Sequence, residues 1–256
     1  MSKISALIIT YNEAIHIDAL VNNLDFTDEI IVVDSFSNDG TFEKLQDYEH
    51  VTVYQHRFKN FSNQKNFALS KASHEWVLFL DADERLTESL RAEIIHKMAN
   101  TSQNIVAYYG FFQYYFGDKP IRFSGFQSAK SFRLFKKSVC KYDENRPVHE
   151  RLIVDGNTSV LNNKILHYSF RDYEHYKDKM TQYAKLKAAQ LHENGKKVNL
   201  LVKYVKIAYR FFNHYIMRLG VLDGKIGYQI SKLNAYEVKK RYDELARLNK
   251  LTLSKK

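Results

Sequence analysis

Four strand-length runs that stay apolar along their whole length dominate the first eighty residues. They are ISALIIT (Ile4–Thr10), EIIVVDS (residues 29–35), VTVYQ (Val51–Gln55) and WVLFLD (Trp76–Asp81). A strand with one wet face alternates apolar and polar residues, whereas a strand covered on both faces does not. The segments between them carry helical spacing, as in Ile17, Leu20, Val21 and Leu24, or in NQKNFALSKAS (residues 63–73). The order β-α-β-α-β-α-β therefore predicts an α/β fold, a Rossmann-like, mostly parallel sheet with helices on both faces.

In such sheets ligands gather beyond the C-terminal ends of the strands. Thr10, Asn12 and Glu13 follow the first run, Asp34 and Ser35 end the second, and Asp81 and Asp83 end the fourth. Polar side chains from three strands are thus expected along one edge. Neither G-x-G-x-x-G nor a P-loop pattern occurs, which takes support from the usual dinucleotide and NTPase readings.

The fourth run drives straight into acids, WVLFLDADERL (residues 76–86). Asp81 and Asp83 lie two apart, so an extended backbone would send both to one side. Paired carboxylates suit Mg2+ or Mn2+, with nucleotide phosphates and water completing the shell. Glu84 reads instead as a charge at the start of the next helix, with Thr87 as its N-cap. Beyond residue 100, IVAYYGFFQYYFG (residues 105–117) and KSFRLFKK (residues 130–137) read as aromatic strands lining an acceptor cleft or packing a core.

The segments LIITYNEAIHI, DEIIVVDSFSNDGT, NFSNQKNFAL and WVLFLDADERL, in that order, resemble the inverting family 2 glycosyltransferases of GT-A fold. SFRLFKK, RPVHERL and LHYSF resemble a subgroup that builds lipopolysaccharide inner core, including β-1,4-glucosyltransferases. The likeness covers residues 4 to about 172. It implies a UDP-sugar donor, a Mg2+ or Mn2+ cofactor and a glycan or glycolipid acceptor. By the same likeness Thr10, Asn12 and Glu13 would line the nucleoside pocket, and Asp34 would hydrogen-bond the uracil. Lys65 and Asn66 would hold the nucleotide near its diphosphate. Asp81 would contact ribose or metal, and Asp83 would ligate the metal directly. Inversion needs a base on the face opposite the leaving nucleotide, and Glu150 in RPVHERL is the candidate. His149 or His167 would complete the metal shell, and Arg133 and Arg146 are candidates for diphosphate or an anionic acceptor.

Charge divides the chain. Residues 171–256 hold 20 Lys and Arg against 8 Asp and Glu, a net of +12, while the first 170 come to −2. We expect a catalytic domain over 1–170, with a nucleotide-sugar half over about 1–100 and an acceptor half over about 101–170. A basic helical C-terminal extension over 171–256 is expected to follow. Lys203, Lys206, Arg210, His214 and Arg218 recur every three or four residues among aliphatic and aromatic neighbours. Such a stripe suits an anionic membrane surface, with its cations near the phosphates. Packing on the chain's own domain and self-association are the competing readings. Basic residues on aliphatic helices without a recognised motif argue against nucleic acid; transfer to another glycan or a polyprenyl-linked acceptor, and a non-catalytic membrane-associated nucleotide-sugar-binding scaffold, are the remaining rivals. One cysteine, Cys140, no signal-peptide pattern and no run of about 20 apolar residues lead to the expectation of a cytoplasmic protein; the resemblance to lipopolysaccharide core enzymes implies that it is peripheral on the inner face of a bacterial inner membrane.

Overall fold

A computed structural model describes residues 2–100, 104–144 and 151–253. The four apolar runs form the expected strands, and the chain alternates as β1 (Ile4–Thr10), α1 (Ile17–Asn23), β2 (Glu29–Asp34), α2 (Thr41–Gln46), β3 (Val51–Gln55), α3 (Phe61–Lys71) and β4 (Trp76–Asp81). After these come β5 (Glu84–Leu86), α4 (Glu88–Ala99), β6 (Ile105–Phe116), β7 (Lys119–Ile121), β8 (Lys130–Lys136) and β9 (Cys140–Tyr142). The remainder is β10 (Leu152–Val154), β11 (Asn157–Val160), β12 (Ile165–Phe170), α5 (Tyr173–Glu193), α6 (Leu200–Phe212) and α7 (Gly224–Leu253).

The sheet runs β3-β2-β1-β4-β8-β6-β12-β5. β1 pairs in parallel with both β2 and β4, and β2 with β3, which leaves Leu7, Ile31, Val77 and Phe79 fully buried among helix side chains. Antiparallel pairing begins where β8 meets β4. The fold is therefore α/β, parallel over β1 to β4, antiparallel where β8 joins, and followed by helices. Polar caps set the helix starts. Asn60 accepts from the Asn63 amide to open α3, and Thr87 accepts from the Leu90 amide to open α4.

Two compact units divide the chain. One comprises Met1–Phe112 with Lys130–His167, the other Gln113–Ala129 with Tyr168–Lys256. The second unit is built round α5 and α7. Its core of Ile121, Phe170, Tyr176, Met180, Ile230 and Leu233 takes residues from the 113–129 segment as well as from the helices. Hydrogen bonds to one carboxylate fix that segment. The Asp223 carboxylate accepts from the amides of Arg122 and Phe123 and from the Ser124 hydroxyl.

Candidate active site

The first unit gathers the expected residues at the C-terminal ends of β1, β2 and β4. Thr10 is buried, and its Oγ1 has no hydrogen-bond partner there. Asn12 takes a left-handed backbone, φ 58°. Its amide donates to Ser37 Oγ and its Oδ1 accepts from the Asn38 amide. The Glu13 amide donates to Thr41 Oγ1. Asn12 and Glu13 thereby hold the loop after β2 against the end of β1. Asp34 is fully buried, accepting from the Ser37 amide at 3.0 Å and from Gln55 Nε2 at 3.4 Å.

Lys65 points from α3 with its side chain 3 % exposed. Its Nζ lies 3.5 Å from Asp81 Oδ1 and 5.3 Å from the ring centres of Phe79 and Tyr142. Asn66, beside it, turns elsewhere. Its amide group donates to the carbonyl of Tyr142 and accepts from the Tyr142 amide, each at 2.9 Å, pinning β9 to α3.

The acidic cluster does not follow the extended geometry expected of it. β4 ends at Asp81, and Ala82 and Asp83 form a turn before β5. The two aspartates accordingly meet different partners. Asp81 Oδ2 accepts from Arg133 Nη2 at 2.9 Å, while its Oδ1 faces Lys65. Asp83 Oδ1 lies 3.2 Å from His167 Nε2. Burial would raise the Asp81 carboxyl, but the charges of Lys65, Arg133 and then His167 outweigh it and hold the group well below the usual carboxylate range. Burial would lower the His167 imidazole, yet the hydrogen bond and charge of Asp83, with Glu84 and Asp81 behind, raise it.

Glu84 is not a helix-start charge. It is fully buried on β5, where a three-residue strand pairs with β12 and sets Glu84 opposite His167. Its carboxylate accepts from Arg133 Nη2 at 2.6 Å and Nε at 2.8 Å, and from the Asp81 amide at 3.1 Å. Burial raises the Glu84 carboxyl above its ordinary value, with Asp81 adding to this and Arg133 opposing it. Arg133 therefore binds two acids at once and stacks on Phe112, 5.2 Å from its ring centre. The sequence around Arg133 carries no signal for this pair, because an arginine alternating with Phe132 and Leu134 is the ordinary pattern of a strand with one wet face.

A cleft of about 900 Å³ opens beside this cluster, with Lys65, Lys130, Arg133 and Arg151 among its lining residues together with the rings of Tyr109 and Tyr142. Four cations around one cavity suit a diphosphate. Among the described residues no three His, Cys, Asp or Glu are set to hold a metal by themselves. Asp83 and His167 do offer one carboxylate oxygen and one imidazole nitrogen at a common point. Such a two-ligand set fits a divalent cation that takes its remaining ligands from substrate phosphates and water. Glu150, His149 and Arg146 lie outside the described residues.

Residues 5–155 match the profile described as Glycosyl transferase family 2. A lipopolysaccharide core biosynthesis glycosyltransferase of Rhizobium meliloti, LpsC, is 30 % identical over 202 residues, 76 % of this chain and 73 % of that protein. A glycosyltransferase of Rickettsia felis is 30 % identical over 268 residues, spanning 100 % of this chain and 93 % of its own length. The mannosyltransferase PcManGT of Pyrobaculum calidifontis, solved in complex with GDP-Man and Mn2+, superposes with a TM-score of 0.53. That match is 14 % identical and covers 95 % of this chain and 87 % of that one.

Proposed function

Because the chain belongs to glycosyl transferase family 2 and is a glycosyltransferase, we propose a metal-dependent inverting enzyme that moves a hexose, glucose foremost, from a UDP-sugar to lipopolysaccharide inner core or a similar lipid-linked glycan. The observation that supports it most is the meeting of Asp83 and His167, linked through Glu84 to Arg133 at the wall of a cleft lined by cations. In this reading Asp83 and His167 hold Mn2+ or Mg2+, and the bound cation would neutralise charge on the departing diphosphate. Lys65 and Arg133 lie where they add fixed positive charge on the same side, already positioned by Asp81 and Glu84. Asp81, paired to both, serves the ribose side or shares the metal. Thr10 and Asp34 are deep enough to meet the base, with Asn12 and Glu13 shaping the loop over it. Asn66 acts by holding β9 at the cleft wall. Glu150 takes the proton of the acceptor hydroxyl, the role a general base fills in inversion.

The acceptor class draws on the Rhizobium meliloti relative, and a lipid-borne acceptor puts the enzyme on the cytoplasmic face of the inner membrane, in contact with anionic lipid. Calorimetric titration with UDP, with and without Mn2+, tests the donor site. We expect Asp83→Ala to lose the metal-dependent part of UDP affinity. UDP binding that keeps its full metal dependence in that variant would refute the assignment. Glu150→Gln should bind UDP as the parent does while transfer to a heptose-containing acceptor falls by about a hundredfold or more; turnover close to the parent's would move the base elsewhere.

A further inference from the structure

α6 carries its polarity in reverse. Lys203, Lys206 and His214, three of the residues that the spacing places on one stripe, turn toward α7 and the 113–129 segment. Lys203 Nζ pairs with Asp243 at 2.5 Å, and Lys206 Nζ lies 5.7 Å from the centre of the Tyr242 ring. His214, in the π-helical turn Asn213–Met217 that continues α6, is buried, and its Nδ1 lies 3.0 Å from the carbonyl of Ser124. No residue of α6 is buried. On the side opposite the stripe, Leu201, Tyr204, Val205, Tyr209 and Phe212 are 51 to 74 % exposed. The apolar surface continues past the helix through Ile216, Met217, Leu219 and Leu222, all exposed. Leu219 is held at φ 58°, a backbone region unfavourable to a branched side chain. α6 meets α7 through Lys203 and through the Phe211 ring against Tyr228, and the broad aliphatic and aromatic face left outward departs from the ordinary amphipathic arrangement.

We propose that the outer face of α6 and the turns after it dock on an anionic lipid bilayer, with the apolar side chains entering first. Charge selects this occupant. Residues 171–256 carry a net of +12, and Lys196, Lys197, Arg218 and Lys225, at the two ends of the apolar face, are exposed. A second copy would bring the same excess of positive charge to the same patch, whereas anionic headgroups neutralise it. Among the described residues no helix is long and apolar enough to cross a membrane, so α6 lies in the plane of the interface. Tyr204 and Tyr209 then place their hydroxyls at headgroup depth while their rings face the acyl chains. This differs from a cation-first docking of the stripe, because Lys203 and His214 are already spent inside the protein.

The test is co-flotation of the full chain with vesicles of phosphatidylcholine alone or mixed with phosphatidylglycerol. We expect binding to the mixed vesicles and little to the neutral ones. The double variant Leu201→Glu, Val205→Glu changes two side chains more than half exposed, so it should unfold at the same temperature and bind UDP as the parent does. Its affinity for the mixed vesicles should fall by about a hundredfold, from the loss of two buried aliphatic groups. Undiminished flotation of that variant would overturn the proposal, as would equal binding of the parent to neutral vesicles. A parent that ignores both vesicles and elutes as a dimer broken by the same substitutions would assign the face to a second copy. UDP binding without lipid is read in the same preparations, so a failure of the donor site and a failure of the docking face give different results.

Discussion

Glu84, Arg133 and Asp81 form a three-member charge cluster in which the central guanidinium is 6 % exposed and one carboxylate is not exposed at all. Removing one partner of a buried pair costs more than the pair contributes, because the survivor keeps its desolvation penalty. Arg133→Met should therefore destabilise the folded protein by about 3–5 kcal/mol, read from urea unfolding, by leaving Glu84 and Asp81 without their shared cation. Glu84→Gln, which keeps shape and one acceptor, should cost less than Arg133→Met. An equal or larger loss would mean that the Glu84 charge itself, rather than the stranding of two acids, dominates this cluster. The positions of Asp81 and Asp83 were legible from the strand that ends in them. Their separate partners were not, because a turn at Ala82 and Asp83 breaks the two-residue alternation on which the expectation rested. Glu84 reads as a helix-start charge for a related reason, although it lies on β5. Three-residue β5 is too short to show any period, and its strand partner lies some eighty residues on.

At the scale of the element, long runs declared themselves and short ones did not. β1 to β4, and α4 with its Thr87 cap, follow from uninterrupted apolar runs, spacing and turn residues. β7, β9 and β10 each have three residues and take their place from pairing alone. For α6 the spacing groups Lys203, Lys206 and His214, yet it cannot say which face meets the protein; Asp243, Tyr242 and the Ser124 carbonyl decide that from elsewhere in the chain. The junction that turns α6 into α7 depends on close backbone approach. A Cβ added at Gly227 would stand 1.7 Å from the carbonyl oxygen of Gly220, where the neighbour is main chain and has little room to give. Gly227→Ala should lower stability by about 2 kcal/mol or more through overpacking, measured by the midpoint of thermal unfolding. An unchanged midpoint would show that the turn at residues 220–223 relaxes freely.

Taken as a whole, the chain makes two units, and the second carries an acid-sensitive histidine. Burial lowers the His214 imidazole to about 4, with Arg218 and Arg210 adding to the effect against the bond to Ser124. The unfolded chain holds that proton up to about pH 6.5, so it binds more protons than the folded one between the two values. The stability that a neutral His214 contributes is thus complete above about pH 6.5 and is lost as pH falls toward 4, by up to about 3 kcal/mol. His214→Asn keeps a donor for the Ser124 carbonyl but cannot titrate. Urea midpoints measured at pH 7 and pH 5 should fall less in that variant than in the parent. Identical slopes would remove His214 as the acid-sensitive group.

The path of the chain through its cores limits how the molecule can be cut. Ile121 lies in the same buried cluster as Met180, Ile230 and Leu233 of the helices, and Tyr114, Phe116 and Phe126 pack against that cluster. A fragment that stops at residue 170 keeps this aromatic segment and discards what covers it. Expressed alone it should collect in inclusion bodies, whatever the soundness of its sheet. A soluble minimal enzyme would need a short linker in place of residues 113–129, or the helices left on.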